Sequence, residues 1–496
     1  MEQSEIDTHV EAAKSGDVID ATQVGEPRGR RRHQRLSPQQ HRLWLWDLMI
    51  AAVVFVVQSL CPTPQTGDSR LSVVTAWQFL HHFNLHLESY PRVAALTNHY
   101  DMVKHAGHIL PFFPWPTMLF AIPADVLYSL TGHNPALLSI SNPNRTWPLE
   151  VATASLLVAI TAVMIRRIVS ALDSPWSRPS VAVLAALVFA FCTSAWSVGS
   201  RALWQQTTSM LFLAAVLFAM QRIDRGRVWS FLLGVFLAMA FLTRPTNAII
   251  VVLVIGWLLW RRRAAIPLVI VGIAVCAVPF VVVSLSQYGQ GLPQYYVPSR
   301  LEQLGPFTFW NSLFMNLISP SRGLLVYDPI VFLAGFGVAA RIRARRLTDL
   351  DVLMCVAVIG HWLTISAYES TGGATYGPRL MIDTLPFLTV LSAPAFSFIL
   401  KQSSAATRAA SGVVRVAVAA MMLVLLCWGG FVNATGGVLR GGFCWSANPV
   451  PVDSRPSRVW DWSDPQFLRP YRELLNGVPV RDVVAGSCAT LEKLTK

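Results

Sequence analysis

Charged residues are scarce in this sequence, and their scarcity excludes a soluble fold. Of 496 residues, only 14% are Asp, Glu, Lys or Arg, whereas soluble domains carry about 25%. Hydrophobic residues make up 53% of the chain, and the mean hydropathy is +0.46. Because so few charges cannot cover the surface of a soluble protein of this length, the composition predicts a polytopic membrane protein.

Several motifs that would indicate other classes are also missing. The seven cysteines show no CxxC or Cys/His ligand spacing, which argues against a structural zinc site. The sequence has no GxxxxGK[ST] phosphate loop and no internal repeat. The net charge is +13, but the basic residues lie in short groups between apolar runs. This distribution is typical of membrane loops and argues against nucleic acid as a partner.

The apolar runs divide the chain into three regions. Residues 1–42 have too little apolar content to fold alone, which predicts a disordered cytoplasmic tail. Residues 43–432 are expected to form the membrane module, with a long first outer loop at 61–148, and residues 433–496 an extracytoplasmic tail. Eleven runs are candidates for spans: 43–60, 149–165, 180–198, 204–220, 228–243, 246–260, 265–285, 323–340, 350–368, 380–400 and 413–432.

One further apolar stretch, 109–130, decides the orientation of every later loop. It is interrupted by four prolines: Pro111, Pro114, Pro116 and Pro123. If it does not span, the inner loops after the first span hold sixteen Lys and Arg residues, and the short outer loops hold only three. This bias follows the positive-inside rule. The sequence therefore predicts an all-α, polytopic bundle of about eleven spans in the plasma membrane. In this arrangement 109–130 forms juxtamembrane helices on the outer face, the N-terminus is cytoplasmic, and the active site and the C-terminus are extracytoplasmic.

Asp68 is the first candidate for chemistry. It follows the first span closely, in Gly67-Asp68-Ser69-Arg70, and a carboxylate at the membrane boundary can serve as a general base. An ordinary turn is the alternative, because Gly-Asp is common in turns. Six histidines of the same loop do not share a helical face with a carboxylate, so packed or solvated positions are expected for them instead of metal binding: His81, His82, His86, His99, His105 and His108.

Arginines in the outer loops form a second group. Arg201, Arg244 and Arg379 are the three that break the charge bias, and Arg322 lies at the outer mouth of another span. Several arginines on one side near a carboxylate suit an anionic headgroup such as a lipid phosphate. Snorkelling, or pairing with Glu369 or Asp328, is the equally weighted alternative.

Aromatic residues surround these arginines, and most are expected to lie in the interfacial belt. Some of them could stack on a sugar or a prenyl chain. The outer tail contains two cysteines, Cys444 and Cys488, and an oxidising compartment favours a disulfide between them.

With these positions assigned, the chain resembles the GT-C superfamily of integral-membrane glycosyltransferases. It is most similar to bacterial, especially actinobacterial, family 39 and polyprenyl-phosphate-sugar-dependent enzymes. The resemblance covers most of 43–432. It rests on short motifs in their order: Gly67-Asp68-Ser69-Arg70, the proline-rich stretch, Arg201-Ala202-Leu203-Trp204-Gln205, Leu242 to Asn247, Ser319 to Leu325, and Gly373 to Arg379.

The resemblance implies a function and a set of site residues. Asp68 would be the catalytic base of an inverting transfer from a polyprenyl-phosphate sugar to a cell-envelope glycan or glycolipid. Arg244, Arg322 and Arg379 would bind the donor phosphate, with Arg201 a weaker candidate. Many relatives carry a second acidic residue where this chain has Ser69, so no metal or other cofactor is predicted, although a divalent metal stays open. Further candidates for the substrate cavity are Arg70, Trp204, Gln205, Glu369 and Tyr376.

Two other functions compete with this interpretation. A secondary transporter would also have many spans, but it would place ionisable residues near the bilayer midplane and show internal repeats. A noncatalytic protein that handles lipid-linked sugars would keep the fold without the chemistry. Arabinose, mannose and galactose all remain open as the sugar, and the sequence does not identify the acceptor.

Overall fold

The computed structural model describes residues 38–63, 65, 67–94, 100–138, 143–173, 175–297, 307–368, 370–402 and 412–495. Nearly all of the tail predicted at 1–42 lies outside this set, as does Glu369. The described residues are mostly helical, as the sequence predicts, and they include one small antiparallel sheet.

The first helix is long, whereas the helices and strands of the loop after it are short. The elements are α1 (Pro38–Ser59), α2 (Ser72–His82), α3 (Pro91–Ala94), β1 (Met102–His105), β2 (His108–Pro111), α4 (Trp115–Met118) and α5 (Ile122–Ser129), with 3₁₀ turns at Leu119–Ala121 and Pro135–Leu137. No helix described between 102 and 138 exceeds eight residues. The stretch 109–130 therefore does not form a spanning helix, which is what its prolines predicted.

The β-hairpin was not expected from the sequence, which predicted only helices here. β1 and β2 pair antiparallel with His105 opposite His108. The two residues between the strands, Ala106 and Gly107, have φ angles of 51° and 89°. Two successive positive φ values are what a tight two-residue hairpin turn requires. Gly107 supplies one of them without steric cost.

Further helices are described between residues 143 and 438, which include most of the predicted membrane module. They are α6 (Pro143–Ser170), α7 (Pro179–Phe191), α8 (Gln205–Met220), α9 (Arg227–Thr243), α10 (Ala248–Arg261), α11 (Ile266–Tyr288), α12 (Phe309–Ile318), α13 (Leu324–Tyr327), α14 (Ile330–Arg343), α15 (Asp349–Ser366), α16 (Leu385–Leu391), α17 (Ala393–Gln402) and α18 (Val413–Val438). A π-helical turn lies at Ala195–Gly199, and 3₁₀ turns lie at Ile223–Arg225, Pro245–Asn247, Arg263–Ala265, Gln294–Tyr296 and Arg379–Thr384. The largest apolar core among these helices includes residues from α6, α7, α8, α9, α14 and α16.

Small residues let two of these helices approach closely. A Cβ atom added at Gly234 of α9 would lie 2.0 Å from the carbonyl oxygen of Val269 in α11, and one at Gly272 would lie 2.1 Å from that of Phe231. Only glycine fits at either position. Such close backbone contact is a common way for helices to associate in membranes, where the hydrophobic effect does not drive them together.

The length of the helices supports a membrane protein but not the full count of spans. Four described helices are long and apolar enough to cross a membrane: Trp147–Ser170, Arg263–Tyr288, Asp349–Ser366 and Val413–Val438. A fifth crossing results if Arg379–Leu391 and Ala393–Gln402, which meet at a bend of 51°, form one span. Five shorter apolar helices cover other predicted runs. The count of eleven therefore stays a prediction.

The tail after α18 folds as short helices joined by a disulfide. They are α19 (Arg440–Cys444), α20 (Arg469–Leu475), α21 (Val480–Ala485) and α22 (Cys488–Thr495), with 3₁₀ turns at Pro456–Trp460 and Gln466–Leu468. Cys444 and Cys488 form the disulfide, and Val478, Val483 and Leu491 pack around it in a small core. The expected pair of cysteines is thus joined in the structure.

Candidate active site

Asp68 lies in a turn shortly before α2, in the segment that connects α1 to α2. The backbone N–H of Arg70 donates to the carbonyl of Gly67 at 3.3 Å, and that of Ser72 donates to the carbonyl of Ser69 at 2.8 Å. The segment that contains the candidate base Asp68 is therefore also a turn, so the two interpretations of the sequence are compatible. The Asp68 side chain is 21% exposed, so its carboxylate is accessible at the edge of a cavity.

Arg379 pairs with Asp68 across 311 residues of sequence. Its Nη1 lies 2.9 Å from Asp68 Oδ2, and the Arg379 side chain is 14% exposed. The guanidinium carbon lies 4.6 Å from the ring centre of Trp204, where the face of an indole attracts a cation. Arg379 Nε is buried and has no hydrogen-bond acceptor among the described residues. One donor of this guanidinium is therefore unsatisfied among the described residues.

A glycine turn aims Arg379 at Asp68. Gly377 has a φ of 61°, which glycine adopts without strain. Its N–H donates to Gln466 Oε1 at 3.0 Å, so the tail helps to fix the turn. A side chain at Gly377 would also meet the ring of Tyr327, 2.9 Å from the nearest ring carbon. The positive φ angle and the nearby ring of Tyr327 thus explain why glycine stands at position 377 in the Gly377-Pro378-Arg379 motif.

A tyrosine lies on the other side of the Asp68 carboxylate. Tyr100 Oη donates to Asp68 Oδ1 at 3.4 Å. Burial, together with the nearby carboxylates of Asp68 and Asp101, raises the pKa of Tyr100, so the phenol stays a proton donor at neutral pH. Next to it, Arg70 Nε and Nη2 lie 2.5 Å and 2.9 Å from the two oxygens of Asp101. Arg70 therefore anchors the start of the hairpin and does not face Asp68.

Residues of α4 line two cavities. A small cavity of about 10 Å³, roughly the space of one water molecule, is lined by Asp68, Pro114, Thr117, Trp204 and Gln205, among others. An apolar groove of about 330 Å³ is lined by Trp115, Pro116, Met239, Cys276 and Phe280, among others. Neighbouring residues of α4 therefore line both the small cavity at Asp68 and the apolar groove.

Arg201 does not reach the Asp68 carboxylate. It is fully buried, and its Nη1 donates to the carbonyl of Cys61 at 3.0 Å while its Nη2 donates to the carbonyl of Gln58. These carbonyls belong to the C-terminal end of α1, where a cation is favourable. Its own carbonyl accepts from the N–H of Gln65 at 3.3 Å. Arg201 thereby fixes the chain that leads to Asp68.

Arg244 forms a buried ion pair. Its Nη1 lies 2.9 Å from Asp383 Oδ2, and the two side chains are 3% and 0% exposed. Its Nη2 donates to the carbonyl of Leu380 at 3.1 Å, and its Nε donates to Thr246 Oγ1 at 2.8 Å. His361 Nε2 lies 3.4 Å from the same Asp383 oxygen. This cluster holds the segment that immediately follows Arg379.

Arg322 joins the loop before Arg379 to the tail. Its Nε donates to the carbonyl of Thr371 at 2.8 Å, its Nη2 to that of Gly373 at 2.9 Å, and its Nη1 to Gln466 Oε1 at 2.8 Å. Burial lowers the pKa of Arg322 to about 10, so it still carries its charge at neutral pH. The alternative partner Asp328 binds Ser194 instead, accepting from its N–H at 2.6 Å and from its hydroxyl at 2.7 Å.

Of the other residues predicted to line the substrate cavity, some line the cavity at Asp68 and others have structural contacts only. Trp204 and Gln205 line the small cavity at Asp68, and Gln205 Oε1 accepts from Tyr295 Oη at 2.8 Å. Tyr376 is fully buried, donates to the carbonyl of Val432 at 2.8 Å and packs edge-on against Tyr327. It therefore shapes the loop and lines neither cavity. Glu369 lies outside the described residues.

Several residues that shape the site were missed in the sequence. Tyr100 and Asp101 carried no motif. Glu150 accepts a hydrogen bond from Ser69 Oγ at 2.5 Å, beside Asp68. A signal existed for Asp383, since it is the acidic residue in the apolar run 380–400, and an ionisable residue in such a run usually has a partner. His361, in the run 350–368, gave the same kind of signal.

Comparison with known proteins gives low-level likenesses to solved structures. No family model and no curated protein matches the chain. The structure of ArnT from Cupriavidus metallidurans bound to undecaprenyl phosphate aligns with a TM-score of 0.49 at 16% identity, covering 91% of this chain and 75% of that one. The oligosaccharyltransferase from Archaeoglobus fulgidus in the apo form aligns with a TM-score of 0.47 at 13% identity, covering 86% of this chain and 60% of that one. Since both TM-scores are below 0.5, no property of either protein is transferred to this chain.

Proposed function

We propose that the chain is a membrane glycosyltransferase that uses a polyprenyl-phosphate sugar as donor. The observation that carries the proposal is the facing pair of Asp68 and Arg379, at 2.9 Å, near an apolar groove that is lined by the same helix, α4, as the small cavity at Asp68. A carboxylate suits a neutral acceptor, an arginine suits a phosphate, and an apolar groove suits a prenyl chain. These three chemistries together match the transferase that the sequence motifs resemble.

In the proposed reaction, Asp68 is the general base. Its carboxylate takes the proton of the acceptor hydroxyl as that oxygen attacks the anomeric carbon. The bond from the anomeric carbon to the phosphate oxygen breaks, and the polyprenyl phosphate leaves with the electron pair. Direct displacement of this kind inverts the anomeric carbon. The acceptor would be a glycan or glycolipid of the cell envelope.

Arg379 is the proposed ligand of the donor phosphate. Its Nε lacks a hydrogen-bond acceptor among the residues with described positions, and its charge would stabilise the leaving phosphate. The planar fork of arginine also keeps its proton when water is excluded. Phosphate binding by Arg201, Arg244 and Arg322 stays a prediction, and each of these side chains already has several partners in the protein.

The proposed orientation places Asp68 and Arg379 outside. Two further ion pairs support the proposal that the loops predicted inside lie at the opposite end of the bundle from Asp68 and Arg379. Asp47, near the start of the first predicted span, pairs with Arg166, which is predicted inside, at 2.5 Å, and Arg261 pairs with Asp349 at 2.7 Å, both in loops predicted inside. We further propose about eleven spans with a cytoplasmic tail at 1–42 and an extracytoplasmic tail at 433–496. A C-terminal fusion to alkaline phosphatase should be active and one to green fluorescent protein dark, and the reverse pattern would overturn this orientation.

The decisive experiment is donor turnover by the purified protein in nanodiscs. A panel of synthetic polyprenyl-phosphate mannose, arabinose and galactose would be supplied with host envelope extract as the acceptor source, and released polyprenyl phosphate would be measured by mass spectrometry. With an active donor, Asp68→Asn should lower turnover by roughly 100-fold or more while donor binding persists. The matched control Asp224→Asn removes an exposed carboxylate that pairs with Arg262 and should retain wild-type turnover.

The same measurements separate the competing functions. Wild-type turnover by Asp68→Asn would remove Asp68 from the mechanism. Binding of donor without turnover on any member of the panel would favour a noncatalytic protein that handles lipid-linked sugars. Movement of intact donor across a vesicle membrane would favour a transporter.

A further inference from the structure

We propose that His86, Glu88 and His108 form a zinc site in the first loop. The three side chains present ligand atoms that all lie within 4.8 Å of one another. The imidazole rings of His86 and His108 are stacked, with centroids 3.6 Å apart and an interplanar angle of 8°. His108 Nδ1 lies 2.7 Å from Glu88 Oε1. The site is independent of the proposed transfer reaction.

The backbone brings together residues that lie about twenty positions apart. His86 and Glu88 flank Leu87, whose N–H donates to the carbonyl of Ile109 at 2.9 Å. Glu88 Oε2 accepts in turn from the N–H of Ile109 at 3.0 Å. His108 begins strand β2, immediately before Ile109. Since Leu87 is fully buried, the segment 84–90 is held against the hairpin, and the three side chains are held near one another without a metal.

The set of donor atoms matches zinc. Two imidazole nitrogens and one carboxylate oxygen are frequent zinc ligands, and water can supply the fourth. Ligand atoms at about 2.0–2.1 Å from a tetrahedral zinc lie roughly 3.4 Å apart, so small side-chain rotations would bring the three into range. The side chains of His108 and Glu88 are 42% and 36% exposed, which leaves room for these rotations and a path for the ion. The metal would replace the present contact of His108 with Glu88.

A metal at this place would fix the hairpin that borders the candidate active site. The carboxylate of Asp101, which precedes β1, pairs with Arg70, and the backbone carbonyl of Asp101 accepts from the N–H of Phe112 at 2.8 Å. Pro114, soon after β2, lines the cavity at Asp68. Zinc would join the segment 84–90 to this hairpin and so restrain the wall of the cavity. None of the three ligands lines that cavity, so the role of the metal is structural.

Zinc binding can be measured on the intact protein without any activity assay. The chain would be purified with a tag that contains no histidine, stripped with a chelator, and titrated with zinc chloride against a chromophoric competitor. We expect one zinc per chain. His86→Ala and His108→Ala should weaken binding by about 100-fold or more, because even the loss of an outer hydrogen-bond partner of a ligand costs about 10- to 100-fold. His133→Ala, an exposed histidine of the same loop, should bind as the wild type does.

Protection from proteolysis supplies a second readout. Lys104 is exposed in β1, so zinc should slow tryptic cleavage there in the wild type and in His133→Ala, but not in His86→Ala. If the histidine variants do not fold, Glu88→Gln keeps the shape of the side chain and should still weaken binding. No zinc bound by the wild type, or equal affinity in wild type, Glu88→Gln and the histidine variants that fold, would overturn the site.

Discussion

The buried pair of Arg244 and Asp383 predicts a stability loss that tests what Arg244 does. The charged atoms are 2.9 Å apart, and the side chains are 3% and 0% exposed. At that distance and an effective dielectric constant of about 20, their attraction is roughly 6 kcal/mol before the cost of desolvation. Removing one partner leaves the other charge buried and unpaired. Arg244→Met should therefore lower the free energy of unfolding by about 3–5 kcal/mol.

Replacing both partners removes the buried charge altogether. Arg244→Met combined with Asp383→Leu should recover most of the loss, because apolar side chains of similar volume often replace a buried ion pair at little cost. Recovery should be incomplete, since His361 Nε2 lies 3.4 Å from Asp383 Oδ2 and would lose this partner. Thermal unfolding of the purified protein in nanodiscs would give the order of stability.

An exposed ion pair of similar geometry provides the control. Arg261 Nε lies 2.7 Å from Asp349 Oδ2, but the two side chains are 41% and 44% exposed. Exposed pairs contribute about 0–1 kcal/mol, so Arg261→Met should have little effect. The reasoning is wrong if Arg244→Met is no more destabilising than Arg261→Met. It is also wrong if the double variant loses as much free energy of unfolding as Arg244→Met and Asp383→Leu lose together. If Arg244 also binds donor phosphate, Arg244→Met will in addition raise the donor concentration for half-maximal transfer.

Three further measurements test other parts of the structure. Arg379→Lys should raise the donor concentration for half-maximal transfer, and Arg379→Ala should raise it further, because lysine lacks the planar fork; unchanged donor dependence in both would place the phosphate elsewhere. Cys488→Ser should make the tail between 445 and 487 more sensitive to trypsin, because the disulfide links residues 44 positions apart and contributes about 4 kcal/mol in the chain-entropy model. Cys427→Ser is the control, and equal rates of digestion in the two variants would contradict this prediction. Burial, together with the neighbouring Glu150 carboxylate, raises the pKa of Asp125 to about 8. The stability from its neutral form should therefore be lost as the pH rises from about 4 to about 8; Asp125→Asn should flatten that decline in a thermal melt, and an unchanged decline would show that Asp125 is not its source.

Features that depend on local composition could be predicted from the sequence. The apolar runs at 149–165, 265–285 and 413–432 coincide with α6, α11 and α18, because hydropathy over a window of this size is what makes a helix favourable in lipid. The prolines in 109–130 correctly indicated the absence of a spanning helix there. Tertiary contacts were harder to predict. The run 323–340 divides at Asp328-Pro329, where the proline is a local signal for the break. The contact of the Asp328 carboxylate with Ser194, from a distant segment, has no such signal.

The roles of the four arginines show why the site itself could be predicted only in part. In the sequence they are alike: each lies in a short polar segment at the end of an apolar run. In the structure each has a different partner, supplied by the end of α1 for Arg201, by Asp383 for Arg244, by loop carbonyls and Gln466 for Arg322, and by Asp68 for Arg379. A guanidinium in an apolar surrounding binds whichever acceptor the fold brings near, because an unpaired buried charge is very costly. The charge bias of the loops predicts the side of the bundle on which an arginine lies, but the partner of that arginine depends on tertiary contacts between distant segments. The Asp383 carboxylate was the one partner that an isolated acid in an apolar run could have revealed, and recognising it would have separated Arg244 from Arg379.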